Sequence, residues 1–179
     1  LQELLEKNNL SFVGCPSASC RICMDKIISK KIMLQKGILT PEFAIVKKNN
    51  NKFPENLSLP VIVKPPDEGS TVGITIVKEM KDWQPALDKV FELGGNTALI
   101  EKFIKGKEIT VGIIKEKALT PVQICYPGEI YDYDAKYTHQ KGETLYLCPP
   151  ESVDAETQEK AKQIAVEFFH AIGARDILR

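Results

Sequence analysis

Short runs of β-branched and aromatic residues alternate with amphipathic stretches along the chain, and tracts rich in Asn, Gly and Pro separate them. After a turn at Asn8–Leu10, the segment Ser11–Gly14 reads as a short strand. Ser17, following Pro16, reads as the cap of a helix in which Met24, Ile27, Ile28 and Ile32 recur at helical spacing. Gly37 ends that helix and Pro41 lies beyond it. Phe43–Val46 reads as a strand, followed by the polar surface loop KKNNNKFPENL. Val61–Lys64 and Ile74–Val77 read as an antiparallel pair joined by a glycine-rich loop. Asp82 is placed to cap a helix reaching about Leu93, with Pro85 tolerated in its first turn and Gly94-Gly95-Asn96 breaking it. Thr97–Phe103 and Glu108–Lys115 read as strands, and Ala118–Cys125 as the return strand of a hairpin around Glu116-Lys117. Residues 127–147 form a long polar and aromatic tract, a length that in a compact domain marks a functional or disordered loop. Asp154 then caps a helix with Ile164, Phe168 and Ile172 on one face, stopped by Gly173. The predicted fold class is α+β: two lobes with largely antiparallel sheets flanked by helices, dividing near Gly106.

Composition narrows the class of function. The chain has 179 residues, 43% hydrophobic and 27% charged, which excludes a disordered or fibrous protein. Its 24 basic residues balance 24 acidic ones, so no large basic face for nucleic acid is expected. No run approaches the ~18 apolar residues of a membrane span, and LQELLEKNN is charged throughout, unlike a signal peptide. A cytoplasmic protein without a membrane partner is expected. Cys15, Cys20 and Cys23 have the C-x4-C-x2-C spacing of plant-type iron–sulfur proteins, and Cys125 or Cys148 would supply a fourth ligand. Cys20 and Cys23 fall within the predicted helix, however, and five is an odd number. Reduced thiols acting as small apolar filler are the better reading, and no metal-binding residue is assigned.

Four segments carry candidate chemistry. Lys64 ends a buried-looking strand, and its charge needs water or an anion. By itself it reads as a snorkelling lysine. The loop that follows, with Glu68, Gly69, Ser70, Thr71 and Gly73, shifts the balance: successive backbone N–H groups and hydroxyls in such a loop form an anion-binding concavity. The pattern is not a P-loop, because the lysine precedes the glycines and no helix follows. In LIEKFIKGKEITVG, the acids Glu101 and Glu108 flank Phe103-Ile104, a mix suited to a base and a ribose, or equally to a solvated strand edge. YDYDAKY, residues 131–137, holds three tyrosines inside the long loop, where a lid excluding water would need a cation and a phenol. Lys26, on the first long helix, reads in isolation as a surface lysine.

Taken in order, the motifs resemble one family. Met24-Asp25-Lys26 on a helix is followed by V-I-V-K-P-x-x-E-G-S-[ST]-V-G, by E-K-F-x-x-G-x-E-x-T-V-G, by Y-D-Y-x-A-K-Y and by Cys148-Pro149. This succession, spanning essentially the whole chain, is similar to the D-alanine–D-alanine ligases of the ATP-grasp superfamily. The resemblance implies an ATP-dependent ligase that phosphorylates the carboxylate of one D-alanine. The amine of a second D-alanine then attacks the acylphosphate, forming the dipeptide used in peptidoglycan. It implies that Lys26 and Lys64 contact ATP phosphates and that Glu68, Gly69, Ser70 and Thr71 cover them, with threonine where the family usually has a second serine. Glu101, Lys102, Phe103 and Ile104 would hold adenine, and Glu108 the ribose. Lys136 would reach the transferred phosphate. Tyr137 would hydrogen-bond to Ser70, and Arg179, in G-x-x-x-x-x-R, would stabilise the oxyanion. The A-K-Y lid looks like the D-alanine-accepting type.

The resemblance also implies a division of the chain. Residues 1–20 would be the tail of an amino-terminal substrate lobe, 21–105 a small ATP-grasp subdomain, and 106–179 the first part of the large one, with 127–147 as its lid loop. The acidic Mg²⁺ ligands would follow Arg179, and the lobe binding the first D-alanine would precede Leu1, so the chain is expected to be a central segment of a homodimeric enzyme. With strands 108–125 lacking partners beyond Arg179, the chain by itself is expected to be marginal or aggregation-prone. Two other functions fit less of the pattern: a non-catalytic ATP-binding module, and another ATP-grasp carboxylate–amine ligase.

Overall fold

A computed structural model describes residues 1–138 and 142–179, so residues 139–141 of the predicted lid loop lie outside the described residues. The amino-terminal part holds three helices, α1 (Gln2–Lys7), α2 (Ser17–Met24) and α3 (Lys26–Gln35). Ser11–Gly14 forms no strand. The expected single helix is two, because Asp25 has extended backbone and its carboxylate accepts hydrogen bonds from the Ile27 and Ile28 amides. A side chain that satisfies the free amides of a new helix also ends the old one. Ser17 does not cap α2 either. Its amide and hydroxyl both donate to the Glu6 carboxylate of α1, at 2.9 and 2.5 Å, so the cap comes from a neighbouring helix. Those bonds hold the Glu6 carboxyl below the usual carboxylate range.

Four strands follow in one antiparallel sheet of order β1-β4-β2-β3: β1 (Phe43–Lys47), β2 (Val61–Lys64), β3 (Thr75–Val77) and β4 (Thr97–Lys102). Strand alternation sends Val61, Val63, Ala98 and Ile100 to one face, where they pack with Val46, Val77 and the apolar side of α4 (Trp83–Phe91). Trp83 donates its indole N–H to the Asn51 carbonyl, so its polar edge is satisfied as its ring enters this core. Asp82 sits at the N-terminus of α4 without a side-chain cap bond.

The remaining strands make two further antiparallel sheets, β5 (Glu108–Thr110) with β8 (Val122–Cys125) and β9 (Leu145–Leu147), and β6 (Ile113–Ile114) with β7 (Lys117–Ala118) and β10 (Ile177–Leu178). The expected Glu108–Lys115 strand and its return strand are therefore each divided between two sheets. The hairpin turns at Lys115 and Glu116, one residue earlier than expected, with φ of 47° and 68°. Pro121, which has no N–H to donate, separates β7 from β8. Within 127–147 lies the short helix α5 (Tyr133–Tyr137). Helix α6 (Ala155–Ala171) is capped by Asp154 through the Thr157 amide, as expected, and buries Phe169 most deeply. The buried Cys15 thiol, 3.2 Å from the Ile177 carbonyl, ties the amino-terminal segment to β10.

Replacing Asp25 with alanine should lower stability by about 1 kcal/mol, read as a lower denaturation midpoint at unchanged m-value. Asp25→Ser, which can still cap, should keep most of the stability that Asp25→Ala loses.

Candidate active site

The face of the four-stranded sheet opposite its core carries Ile62 and Lys64 on β2 and Glu101 on β4, with Glu101 directly opposite Ile62. Helix α3 lies against this face. Its Lys26, Lys30 and Met33 recur at helical spacing and line one cavity of about 380 Å³, together with Cys23, Lys64, Glu101 and Arg179. Glu101 is the acidic side chain in this lining, which also carries the cations Lys26, Lys30, Lys64 and Arg179.

Two of them bind it. Lys30 Nζ lies 2.6 Å from Glu101 Oε1 and Lys64 pairs with Oε2. Burial pushes the Glu101 carboxyl upward, but Lys64 and Lys30 outweigh it, so the group sits below its usual range. Lys26 turns instead to the loop, donating to the Glu68 carbonyl at 2.6 Å and the Pro65 carbonyl at 3.1 Å. Burial and then the Lys64 charge lower the Lys26 ammonium below the usual lysine range. A cavity carrying more cations than it can neutralise is built for a multiply charged anion.

The glycine-rich loop gains its shape unexpectedly. Gly69 does not adopt a left-handed conformation, whereas Ser70 and Thr71 do, with φ of 51° and 64°. Such backbone is costly for residues bearing a Cβ, more so for a β-branched one. Gly73 has φ of 72°, and a Cβ there would lie 2.8 Å from Leu93 and 3.1 Å from Pro65. The strained apex is held from above. Ser70 and Tyr137 hydroxyls are 2.9 Å apart. Thr71 accepts from Lys136 at 2.5 Å and donates to the Tyr131 carbonyl at 2.9 Å. Helix α5 thus lies over the loop, hydrogen-bonded to its apex.

A second cavity, about 620 Å³, borders the same sheet face at Ile62 and is lined by Phe103, Ile104, Glu108 and Tyr126. Tyr126 donates to Glu108 at 2.7 Å, and burial followed by that bond raises the phenol above its ordinary range. The structure therefore separates the expected adenine set: Glu101 faces the cationic cavity, while Phe103, Ile104 and Glu108 line the other. Lys102 is exposed at the end of β4 and lines neither.

The family model for the D-ala D-ala ligase C-terminus matches residues 32–179. The chain belongs to the D-alanine–D-alanine ligase family. A ligase of this name from Syntrophotalea carbinolica is 35% identical over 97% of this chain and 55% of its own length. The crystal structure of the Bacillus anthracis D-alanine–D-alanine ligase superposes with a TM-score of 0.83 at 33% identity, covering 98% of this chain and 57% of that one. The same enzyme complexed with ATP gives 0.80 at 28% identity, covering 98% and 55%. The chain thus spans about half the length of the ligases it matches, and its antiparallel sheets and flanking helices are those of the ATP-grasp fold.

The sequence pattern did not single out Lys30. The signal was its place four residues after Lys26, on the face of α3 that meets the sheet. The apolar positions chosen instead include Met24 and Ile28, which are 59% and 43% exposed. Magnesium, implied by the resemblance, finds no fitting donor set among the described residues. Among the described residues no three His, Cys, Asp or Glu side chains are placed to hold an ion, and Glu101 is engaged by two lysines. No helix among the described residues is long and apolar enough to cross a membrane.

Thr71→Val keeps the side-chain shape and removes both lid bonds. Amide exchange across 69–73 and 133–137 should speed up on the order of tenfold, the equivalent of roughly one hydrogen bond. Unchanged exchange would show that α5 is held by other contacts.

Proposed function

We propose that this chain is the nucleotide-clamping and lid-bearing part of an enzyme that joins two D-alanines with ATP, through an acylphosphate, for peptidoglycan synthesis. The observation that carries this reading is the closure of α5 over the glycine-rich loop, through Ser70–Tyr137 and Thr71–Lys136, beside a cavity lined by Lys26, Lys64 and Arg179. In this reading, phosphates lie against Lys26 and Lys64 under the loop, and the base and ribose occupy the cavity of Phe103, Ile104 and Glu108. Lys136 and Arg179 neutralise charge that builds on the transferring phosphoryl group and the oxyanion. Tyr137 keeps the lid shut, so water does not intercept the acylphosphate.

The same reading divides the chain into a tail of the substrate lobe (1–20), a small subdomain (21–105) and the start of the large one (106–179). It places the whole enzyme in the cytoplasm as a homodimer, with D-alanine and ATP as its partners rather than nucleic acid or membrane. Mg²⁺ accompanies the nucleotide, and no side chain among the described residues is assigned to it.

In the whole protein, Lys64→Ala should weaken nucleotide binding on the order of a hundredfold, the value of a charge-assisted hydrogen bond or two. Tyr137→Phe should leave that affinity within about twofold and slow ligation roughly tenfold. Calorimetry with ADP and D-alanine-dependent ADP release measure the two effects. ATP binding without any D-alanine-dependent ADP release would instead mark a non-catalytic nucleotide-binding module, and unchanged affinity in Lys64→Ala would remove the phosphate role.

A further inference from the structure

We infer that Lys30 is a positioning residue for nucleotide binding: it keeps the buried Glu101 carboxylate paired when Lys64 turns from it to the nucleotide phosphates. The inference rests on the reading of the cationic cavity as the nucleotide site.

The two lysines on Glu101 are not equivalent. An ammonium has three hydrogens to donate. Lys30 spends all three, on Glu101 Oε1 at 2.6 Å, the Thr40 hydroxyl at 2.6 Å and the Pro41 carbonyl at 3.0 Å. Its charge also lies 4.8 Å from the centre of the Phe43 ring. With its side chain 6% exposed and its three donors engaged, Lys30 has no donor left for a ligand. Lys64 is more open, at 17%, and among the described contacts its ammonium is held by Glu101. One cation is fixed and the other exchangeable.

The exchange needs the fixed one. Glu101 is 7% exposed. Moving Lys64 to a phosphate would leave a buried carboxylate unpaired unless another cation stays. The titratable and charged groups that line the cavity with Glu101 are Lys26 and Lys30 from α3, Lys64 from β2, Arg179 beyond β10 and Cys23 from α2. Strand β1 contributes the Phe43 ring, and α6 contributes Ala165 and Phe168, which carry no charge. Lys26 is committed to the carbonyls of the loop, and the ion pairs described for Glu101 are those with Lys30 and Lys64, not Arg179. Lys30 is therefore the cation that remains on the carboxylate.

Without Lys30, the departure of Lys64 forces Glu101 to take up a proton. A proton gained on binding makes affinity fall as pH rises. Nucleotide binding by the whole protein, titrated calorimetrically with ADP in buffers of differing ionisation enthalpy from pH ~6.5 to ~8.5, reads this directly. Lys30→Met should take up close to one more proton per ADP than wild type. Its affinity should drop by up to about tenfold per pH unit relative to wild type. Lys30→Arg should keep the wild-type proton balance. A wild-type balance in Lys30→Met, or its defect in Lys30→Arg, overturns the inference while leaving the nucleotide site intact. Failure of the wild-type protein to bind ADP sinks both. Should Lys30→Met not fold, the Glu101→Gln background decides. There Lys30→Met should fold and bind ADP as Glu101→Gln does, because no carboxylate remains to be paired. A further loss in that background would mean that Lys30 acts otherwise.

Discussion

A carboxylate withdrawn from water survives as an anion when cations replace its hydration, and in this chain the Glu101 carboxylate draws three elements together to provide them. Lys30 arrives from α3, Lys64 from β2, and β4 supplies the acid itself. Each partner would be costly to bury by itself. Together they tie α3 to the sheet through Lys30 beside the cavity that both line. The core on the opposite face supplies the rigidity. Val61 and Val63 pack β2 into the core shared with α4, so Lys64 projects from a strand anchored on its other face.

Above this rigid floor the structure is arranged differently. The loop after β2 places two residues with side chains in left-handed backbone, a conformation that the local sequence does not favour. What sustains it is a set of hydroxyl contacts to α5, between residues some sixty-five positions apart. Floor and cover therefore differ in kind: the floor is held by burial and charge, the cover by a few exposed or half-buried hydrogen bonds that can open and close at modest cost. That contrast suits the function proposed for the site, admitting a nucleotide and then shutting out water.

Much of this was legible along the chain. The strands at Val61–Lys64 and Thr97–Lys102 were marked by β-branched runs with clear turn residues around them, and Asp154 announced its helix in the usual way. Where the reading failed, the cause was a contact made at long range or a residue with two plausible jobs. Asp25 looked like an ordinary polar position in one continuous helix, yet as a cap it splits that helix in two. Ser17 resembled a cap but is held by Glu6, eleven residues away. The hairpin after Glu108 crosses between two sheets, which no local alternation reveals. Lys30 escaped because a buried lysine is recognised by its partner, and that partner lies on a strand seventy residues later.

The two glycines that bracket the loop apex carry different meanings for how this sequence can drift. A methyl group at position 69 would meet no atom within 4 Å, whereas at position 73 it would press into both Leu93 and Pro65 on a backbone already in the left-handed region. The apex can therefore be rewritten by substitution, within the limits of its hydroxyl contacts, while its downstream hinge cannot. Variation that retunes what the loop covers is open to this protein, and variation that moves the loop's pivot is closed.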